Sequence, residues 1–322
     1  MKDILTLGTR ASALALAQTE LTRAALVRAF PDLEIKVKTF TTRGDQKLDL
    51  SLLRASEAGG KGLFTKELED ELLAGGIDIA VHSLKDLPGQ NPAGLHIAAV
   101  LERAPTADVL ISKFPGGLDG LPEGSHVGTS SIRRARQVRW LRPDLAIADW
   151  RGNVQTRLRK LGQSAEFGAI LLAQAGLERL GFPVGSGVIE FEEFRFHVAS
   201  LEDRLLPAIG QGAIALQSRV GDARIDSCLR AINHEPTFLA IRAERELQRL
   251  LSGDCTLPVG VRTTWTGDGR LSMEAILFDA EGQPPAQAKA EGEESAPEKI
   301  AAQLFERLNS PANPLGVPGA RP

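Results

Sequence analysis

Short apolar runs alternate with helix-like patterns through the first two thirds of the chain. Before Leu110, the alternation predicts strands at Ile4–Leu7, Glu34–Thr39 and Ile77–Val81 and helices at Ser12–Ala29 and Phe64–Ala74. After Leu110 it restarts and predicts strands at His126–Gly128, Ala146–Asp149 and Ala169–Leu172 and helices at Ser131–Leu141 and Val154–Leu161. Strands that alternate with helices favour α/β layers built around mostly parallel sheets.

The restart predicts two lobes of similar size that divide near Glu102–Ala107. A later apolar segment, Ala213–Gln217, follows the second series and is predicted to return to the first lobe. We therefore expect an N-terminal lobe formed by residues 1–102 and 201–220, and a central lobe formed by residues 103–200.

From Gly221 onward the pattern changes, because strands and helices are grouped rather than alternating. It predicts helices at Asp222–Ile232, Pro236–Leu251 and Pro297–Leu308 and strands at Val259–Thr266 and Leu271–Phe278. Such grouping favours a smaller α+β domain over residues 221–309. The tail Ser310–Pro322 holds four Pro and two Gly in 13 residues, so we expect it to be disordered.

Composition excludes several classes of protein. The 38 basic and 41 acidic residues nearly balance, which argues against a general polyanion-binding surface. No apolar run reaches the roughly 20 residues that span a membrane, and the first predicted strand leaves no room for a signal peptide. Two cysteines and five scattered histidines provide neither a disulfide framework nor metal-ligand spacing. We expect a cytoplasmic protein without a metal.

Arginines recur at three predicted strand-to-helix junctions. These junctions are Gly8-Thr9-Arg10-Ala11-Ser12, Gly128-Thr129-Ser130-Ser131-Ile132-Arg133-Arg134 and Trp150-Arg151-Gly152-Asn153. Hydroxyls and amides there are ordinary helix caps, but a cation near a helix N-terminus opposes the helix dipole. A cation at that position is explained if it binds an anion together with the free N–H groups of the helix.

The charge of the second junction region supports an anion site. Between Arg133 and Lys160 there are nine basic and two acidic residues, and arginine outnumbers lysine 27 to 11 in the chain. Nucleotide composition or a solvated helix face could account for a single arginine. Three junctions with the same chemistry, which α/β sheets bring toward one crevice, favour a binding site for a ligand with several negative groups.

Two further residues indicate chemistry. Asp86, in His82-Ser83-Leu84-Lys85-Asp86, follows a predicted strand, and a carboxylate in a cationic cleft suits proton transfer or stabilisation of a cation. Cys255 follows a helix C-terminus and Asp254, both of which disfavour a thiolate, so a covalent anchor suits it better than an activated nucleophile. His82 and Cys228 are interpreted as structural residues.

Eight motifs in order resemble the hydroxymethylbilane synthase family, also called the porphobilinogen deaminase family, over nearly the whole chain. They are Thr9-Arg10 with Ser12 and Gln18, Arg43-Gly44-Asp45, Gly59-Gly60-Lys61-Gly62-Leu63-Phe64, Ala80–Asp86, Gly128–Arg134, Arg151-Gly152-Asn153, Pro207–Gly212 and the Cys255 loop. Two positions depart from the family pattern. Asp254 stands where the family usually has the second of two glycines, and Glu57 stands where many members have lysine.

The resemblance implies an enzyme with two lobes similar to type II periplasmic binding proteins and a third, cofactor-anchoring domain. The implied reaction condenses four porphobilinogen molecules head to tail, with release of four ammonia molecules, into a linear tetrapyrrole. The implied cofactor is a dipyrromethane held by a thioether to Cys255. The resemblance further implies a monomer, while the charge balance and the lack of a long apolar run predict that the protein binds neither nucleic acid nor membrane.

The family match also implies roles for individual residues. Asp86 would assist proton movement and stabilise a cationic intermediate. Phe64 would pack against pyrrole rings, and Lys85 would pair with substrate carboxylates. The full set implied to bind cofactor or substrate is Arg10, Ser12, Gln18, Lys61, Phe64, Ser83, Lys85, Thr129, Ser130, Ser131, Arg133, Arg134, Arg151, Gly152, Asn153, Arg157 and Gln211.

Two alternative functions remain open from the residues alone. The first is a non-catalytic, two-lobed binding protein for a multiply carboxylated small molecule, in which Asp86 and Cys255 would have no task. The second is a nucleic-acid-binding protein that uses the Arg133–Lys160 stretch. The net charge of −3 and the lack of interleaved aromatic residues there argue against it.

Overall fold

The computed structural model describes residues 4–41, 65–251, 257–278 and 283–310. Its strands are β1 (Ile4–Arg10), β2 (Glu34–Phe40), β3 (Ile79–Ser83), β4 (Leu95–Val100), β5 (Asp108–Ser112), β6 (His126–Gly128), β7 (Ala146–Ala148), β8 (Phe167–Ala173), β9 (Val188–Phe191), β10 (Phe194–Ser200), β11 (Ile214–Arg219), β12 (Val259–Gly267), β13 (Arg270–Leu277) and β14 (Ala286–Glu293). Its α-helices are α1 (Ala13–Ala29), α2 (Lys66–Leu73), α3 (Ile132–Leu141), α4 (Val154–Gln163), α5 (Gln174–Arg179), α6 (Ala223–Ile232), α7 (Glu235–Leu250) and α8 (Pro297–Leu308). Each strand and helix predicted from the pattern has a counterpart among them.

The first lobe is built on a five-stranded sheet with the order β2-β1-β3-β11-β4. Strands β1, β2 and β3 are parallel, whereas β11 pairs antiparallel with both β3 and β4. The sheet buries Leu5, Leu7 and Leu216 against Leu26 of α1 and Leu229 of α6. The predicted return of the Ala213–Gln217 segment to the first lobe is therefore confirmed.

The second lobe is built on a six-stranded sheet with the order β7-β6-β8-β5-β10-β9. Only β6, β7 and β8 pair in parallel, while β5 pairs antiparallel with β8 and β10, and β10 with β9. The expectation of mostly parallel sheets was wrong, because both sheets are mixed. The physical reason is the double crossover, since β5 and β11 carry the chain between the lobes and run against the neighbouring parallel strands.

The last part of the chain forms an antiparallel sheet with the order β12-β13-β14. Helices α7 and α8 pack on it, and Leu247, Val261, Met273 and Leu304 share the buried core. Two α/β lobes followed by a smaller α+β unit confirm the predicted fold class. The exact domain boundaries stay a prediction, and the predicted disordered tail lies outside the described residues beyond Ser310.

Polar caps begin the helices that follow the three arginine-bearing junctions. Ser12 Oγ accepts a hydrogen bond from the Ala15 N–H at 3.3 Å, and Ser131 Oγ accepts one from the Arg134 N–H at 3.4 Å. Asn153 Oδ1 accepts one from the Thr156 N–H at 2.8 Å. Each cap satisfies an N–H group of the first helical turn and fixes where the chain leaves the strand. Helices long and apolar enough to cross a bilayer do not occur in the described ranges.

Candidate functional site

The carboxyl ends of β1 and β3 lie side by side and together form a pocket in the first lobe. It is lined by Arg10 at the end of β1 and Ser12 after it, by Gln18 of α1, by His82 and Ser83 at the end of β3 and Asp86 after it, and by Thr65. Parallel neighbours place these ends at the same edge of the sheet. Residues predicted for the site from separate motifs are thus brought together here.

Gln18 and Ser83 hold each other in place at this pocket. The Gln18 amide donates to Ser83 Oγ at 2.8 Å, and Ser83 Oγ donates to Gln18 Oε1 at 3.1 Å. Because Gln18 is only 2% exposed, its side chain has little freedom to turn away. The pair joins α1 to the end of β3 and gives the pocket a preformed wall.

His82 supports the pocket from the buried side. Its Nε2 lies 3.1 Å from Gln217 Oε1, and the Gln217 amide donates in turn to Glu69 Oε1 at 3.5 Å. Burial lowers the pKa of His82 to about 4, and the nearby charge of Arg10 acts in the same direction. His82 is therefore neutral at physiological pH, which agrees with its interpretation as a structural residue.

Asp86 lies in a one-turn 3-10 helix, residues 84–86, directly after β3. Its side chain is half-buried, and in the described part of the chain no hydrogen-bond donor reaches its carboxylate. Its charge nevertheless interacts with two cations, the adjacent Lys85 and Arg157 of the second lobe. A carboxylate with accepting oxygens and cationic neighbours is able to accept N–H groups from a ligand.

Lys85 brings a cation from the first lobe to the charges of the second lobe. Desolvation, reinforced by Arg134 and Arg133 and opposed by Asp86 and Asp108, lowers the pKa of Lys85 to about 8. Mutual electrostatic influence between Lys85 and the Arg133–Arg134 pair means that the two lobes face each other here. A ligand carboxylate that approaches this lysine would favour its charged form.

Arg133 and Arg134 are almost fully buried and share one counterion, Asp108. Arg133 Nη1 donates to Asp108 Oδ2 at 2.6 Å, while Arg134 Nε and Nη2 donate to Asp108 Oδ1 at 2.9 and 2.7 Å. Burial alone would raise the pKa of Asp108, but the two guanidiniums outweigh it and hold that pKa well below its usual range. Sequence reasoning missed Asp108, whose only local signal is an acid at the start of an apolar run.

The hydroxyl groups of the second junction shape the loop itself. Ser130 Oγ donates to the Trp150 carbonyl at 2.8 Å and accepts from the Trp150 N–H at 3.2 Å, which ties the second junction to the third. Thr129 Oγ1 accepts from the Ser131 N–H at 3.2 Å. These contacts place the N-terminus of α3, with its free N–H groups, beside the arginines.

The third junction holds two more arginines. Arg151 Nε donates to Asp149 Oδ2 at 3.0 Å, and Arg157 Nε donates to the Gly152 carbonyl at 2.7 Å. Desolvation, reinforced by Arg134, lowers the pKa of Arg157 to about 10. Lys85, Arg133, Arg134, Arg151 and Arg157 thus outnumber Asp86, Asp108 and Asp149 by five to three, and the excess positive charge suits a ligand with several carboxylates.

Gln211 lies at the crossover between the lobes and not at the pocket wall. Its amide donates to the Thr106 carbonyl at 2.7 Å and to Asp108 Oδ1 at 2.9 Å. Its backbone carbonyl accepts from Arg103 Nε at 2.9 Å, and Arg103 forms a buried ion pair with Glu244 of α7 at 2.6 Å. Arg103 and Glu244 were not predicted, because their pairing joins positions 141 residues apart.

Three predicted site residues cannot be placed. Lys61, Phe64 and Cys255 lie outside the described residues, as do the family-like segments 43–45 and 59–64. Another pocket, lined by residues that include Ser112, Phe114 and His197, lies in the second lobe and shares no residue with the one beside Asp86.

Comparison with known proteins gives matches along most of the chain. The family model described as porphobilinogen deaminase, dipyromethane cofactor binding domain, matches residues 5–227, and the model of the porphobilinogen deaminase C-terminal domain matches residues 238–310. Porphobilinogen deaminase of Syntrophobacter fumaroxidans is 40% identical over 312 residues, covering 96% of each chain. Porphobilinogen deaminase of Thermus thermophilus is 41% identical over 301 residues, covering 94% of each.

Solved structures give weaker matches. The methionine binding protein MetQ is 14% identical with a TM-score of 0.43, covering 72% of this chain and 91% of its own. The BenM effector binding domain with its effector benzoate is 14% identical with a TM-score of 0.43, covering 75% of this chain and 95% of its own.

Proposed function

This chain belongs to the porphobilinogen deaminase family, and from that premise we propose how its own residues perform the reaction. The protein is a transferase of tetrapyrrole biosynthesis that binds a dipyrromethane cofactor. It joins four porphobilinogen molecules head to tail, releases four ammonia molecules and yields the linear tetrapyrrole hydroxymethylbilane. The proposed residue roles rest on one observation. The carboxylate of Asp86 accepts no hydrogen bond from the described residues and interacts with cations of both lobes, Lys85 and Arg157.

The residues beside Asp86 fit a polycarboxylate cofactor and product chain. Each porphobilinogen unit carries an acetate and a propionate, so a chain of up to six rings presents about a dozen carboxylates, two per ring. The local excess of cations, together with the buried Arg133 Nε that lacks a partner among the described residues, supports this fit. When bound, the dipyrromethane supplies the pyrrole carbon at which the chain is extended, and it stays with the protein when product leaves. Cys255 would hold it through a thioether.

Asp86 acts on the proton and the charge of the reacting unit. Its Oδ atoms accept hydrogen bonds from pyrrole N–H groups and so orient the incoming ring. Departure of ammonia from the substrate's protonated aminomethyl group leaves positive charge on that ring, and the Asp86 carboxylate stabilises this charge. When the new carbon–carbon bond forms, the attacking pyrrole carbon loses its proton, and the same Oδ atoms accept that proton.

The remaining predicted residues bind and align carboxylates. Arg10, Lys85, Arg133, Arg134, Arg151 and Arg157 provide the charge, and Ser12, Thr129, Ser130, Ser131, Gly152 and Asn153 shape the helix N-termini that present free N–H groups. Gln18 and Ser83 fix the wall of the pocket, and Gln211 fixes the crossover. Lys61 and Phe64 stay part of the proposed set. We further propose that the protein acts in the cytoplasm as a monomer without nucleic-acid partners.

Intact-protein mass spectrometry tests the function directly. The purified wild-type chain, after incubation with porphobilinogen, should gain the mass of two deaminated porphobilinogen units. The Cys255→Ser variant should stay unmodified, and the loaded wild type should release ammonia steadily from porphobilinogen. A wild-type chain that gains no mass and releases no ammonia, yet binds a polycarboxylate, would instead be the non-catalytic two-lobed binding protein.

A further inference from the structure

Asp108 occupies the first position of β5, where the chain enters the second lobe. Its side chain is fully buried, and its two oxygens accept hydrogen bonds from Arg133, Arg134 and Gln211 at 2.6 to 2.9 Å. No described donor to Asp108 is a surface group, so water does not weaken these contacts. A buried carboxylate with three charged or amide partners fixes the geometry of each of them.

The two arginines use Asp108 differently. Arg134 makes one hydrogen bond from each guanidinium nitrogen, since Nε and Nη2 donate to Asp108 Oδ1 and Nη1 donates to the Leu171 carbonyl at 3.0 Å. Among the described residues, Arg133 is held through Nη1, which donates to Asp108 Oδ2 and to the Leu206 carbonyl at 2.7 Å. Its Nε is buried and has no hydrogen-bond partner among the described residues.

The unused Nε of Arg133 lies on the guanidinium edge that pairs side-on with a carboxylate. Two parallel N–H donors on that edge match two carboxylate oxygens, which gives strong and directional binding. Asp108 accepts from Nη1, so the hydrogen bond that holds Arg133 leaves its Nε donor unused. Leaving a buried donor without a partner is costly, so a ligand that satisfies it gains affinity.

We propose that Asp108 is a positioning residue that holds Arg133 with its Nε edge available for a carboxylate of the dipyrromethane. This inference rests on the proposed function and adds to it a division of tasks. Arg134 is the second tie that keeps Asp108 in place and adds its charge to the carboxylate site, whereas Arg133 presents the donor that has no protein partner among the described residues. The amide of Gln211, which lies in the crossover that returns the chain to the first lobe, also donates to Asp108 and helps to hold its carboxylate.

The test compares cofactor loading of Asp108→Asn with that of the wild type. Apo-protein is incubated with increasing porphobilinogen, and the fraction carrying the cofactor mass is read by mass spectrometry. We expect the concentration for half-loading to rise at least about tenfold, as for the loss of a supporting partner at other preorganised sites. In the Arg133→Leu background, Asp108→Asn should add less than about twofold, because Asp108 acts through Arg133. If Asp108→Asn raised the half-loading concentration by the same factor in both backgrounds, Asp108 would act independently of Arg133 and the proposal would be wrong.

Asp222→Ala is the control, since it also removes a carboxylate from an arginine, Arg219, but does not touch Arg133, Arg134 or Gln211. We expect it to lower the melting temperature, because Asp222 also caps α6, while half-loading stays within about twofold of the wild type. If Asp108→Asn fails to fold, Asp108→Glu keeps the charge but displaces Arg133, and its half-loading concentration should rise at least about threefold.

Wild-type loading of a folded variant would remove Asp108 from this role. Failure of the wild-type chain to load at all would instead refute the proposed function, so the two failures are distinguishable.

Discussion

Asp86 and Lys85 are adjacent in the chain, yet their surroundings assign them different tasks. Asp86 accepts no hydrogen bond within the described ranges and keeps its oxygens for a ligand. Lys85 lies toward Arg133 and Arg134, whose charges disfavour its ammonium form. Asp86 therefore suits proton transfer, and Lys85 suits the binding of a ligand carboxylate, which favours the ammonium form of the lysine.

Replacing Asp86 by Asn should abolish turnover without unfolding the protein. The change removes the charge that stabilises the positive ring, so kcat should fall about 10² to 10⁴-fold. The melting temperature should stay near that of the wild type, because no described hydrogen bond is lost. Steady-state ammonia release and a thermal melt measure both quantities. Asp144→Asn, which removes a surface partner of Arg142, is the control, and near-normal kcat in Asp86→Asn would exclude Asp86 from catalysis.

Substrate affinity should weaken as pH rises through about 8, the pKa to which desolvation lowers Lys85. Below that pH the ammonium is present and pairs with a substrate carboxylate; above it the cation is lost, so KM should increase with pH. Measuring KM between pH 6.5 and about 9.5 tests this, within the range of the assay. Lys85→Arg keeps its charge and should flatten the rise. An equally steep rise in Lys85→Arg would assign the titration to another group.

At the scale of single residues, local chemistry was predictable and long-range pairing was not. Ser12, Ser131 and Asn153 were expected as helix caps because a cap depends on neighbours only two or three positions away. Asp108 was missed because its partners are 25 to 103 positions distant. The arginines that suggested an anion site were therefore identified without the counterion that holds them.

At the scale of elements, strands with an apolar pattern were predicted, but those formed by pairing were not. Strand β14 (AQAKAEGE) is rich in residues with low strand propensity, yet all eight of its residues pair with β13. Its existence depends on the neighbouring strand and on α8 rather than on its own sequence. The antiparallel direction of β5 and β11 likewise follows from the crossovers and has no local signal.

The turn before α4 depends on one glycine. Gly152 has φ of +122°, and a Cβ there would lie 2.8 Å from Thr156 Cγ2. Gly152→Ala should therefore destabilise the protein by about 1 to 3 kcal/mol and displace Arg151 and Asn153, so KM should also rise. Urea unfolding and KM measure the two effects.

Gly185→Ala is the control for that prediction. An added Cβ at Gly185 has no neighbour within 4 Å, and its φ is not in the left-handed region. Stability should stay the same or increase by a few tenths of a kcal/mol. If Gly152→Ala leaves the free energy of unfolding unchanged, as expected for Gly185→Ala, then a side chain at position 152 does not strain the turn.

At the scale of the whole molecule, the carboxylate of Glu244 connects the third unit to both crossovers. Glu244 of α7 accepts from Arg103 at 2.6 and 3.0 Å and from the Gly210 N–H at 2.8 Å. Arg103 belongs to the first crossover and Gly210 to the second. Helix α7 ends at Leu250, five residues before Cys255, so the proposed cofactor anchor and the crossovers are connected through a single helix.

Removing the charge of Glu244 should therefore weaken the whole molecule. Glu244 is completely buried and Arg103 nearly so, and a buried arginine without its carboxylate costs about 3 to 5 kcal/mol. Glu244→Gln should lower the urea midpoint and melt the lobes and the third unit at separate temperatures. Glu246→Gln on the same helix breaks only an exposed pair with Arg249 and should cost less than about 1 kcal/mol. Equal effects of the two variants would mean that the junction is held by apolar packing instead.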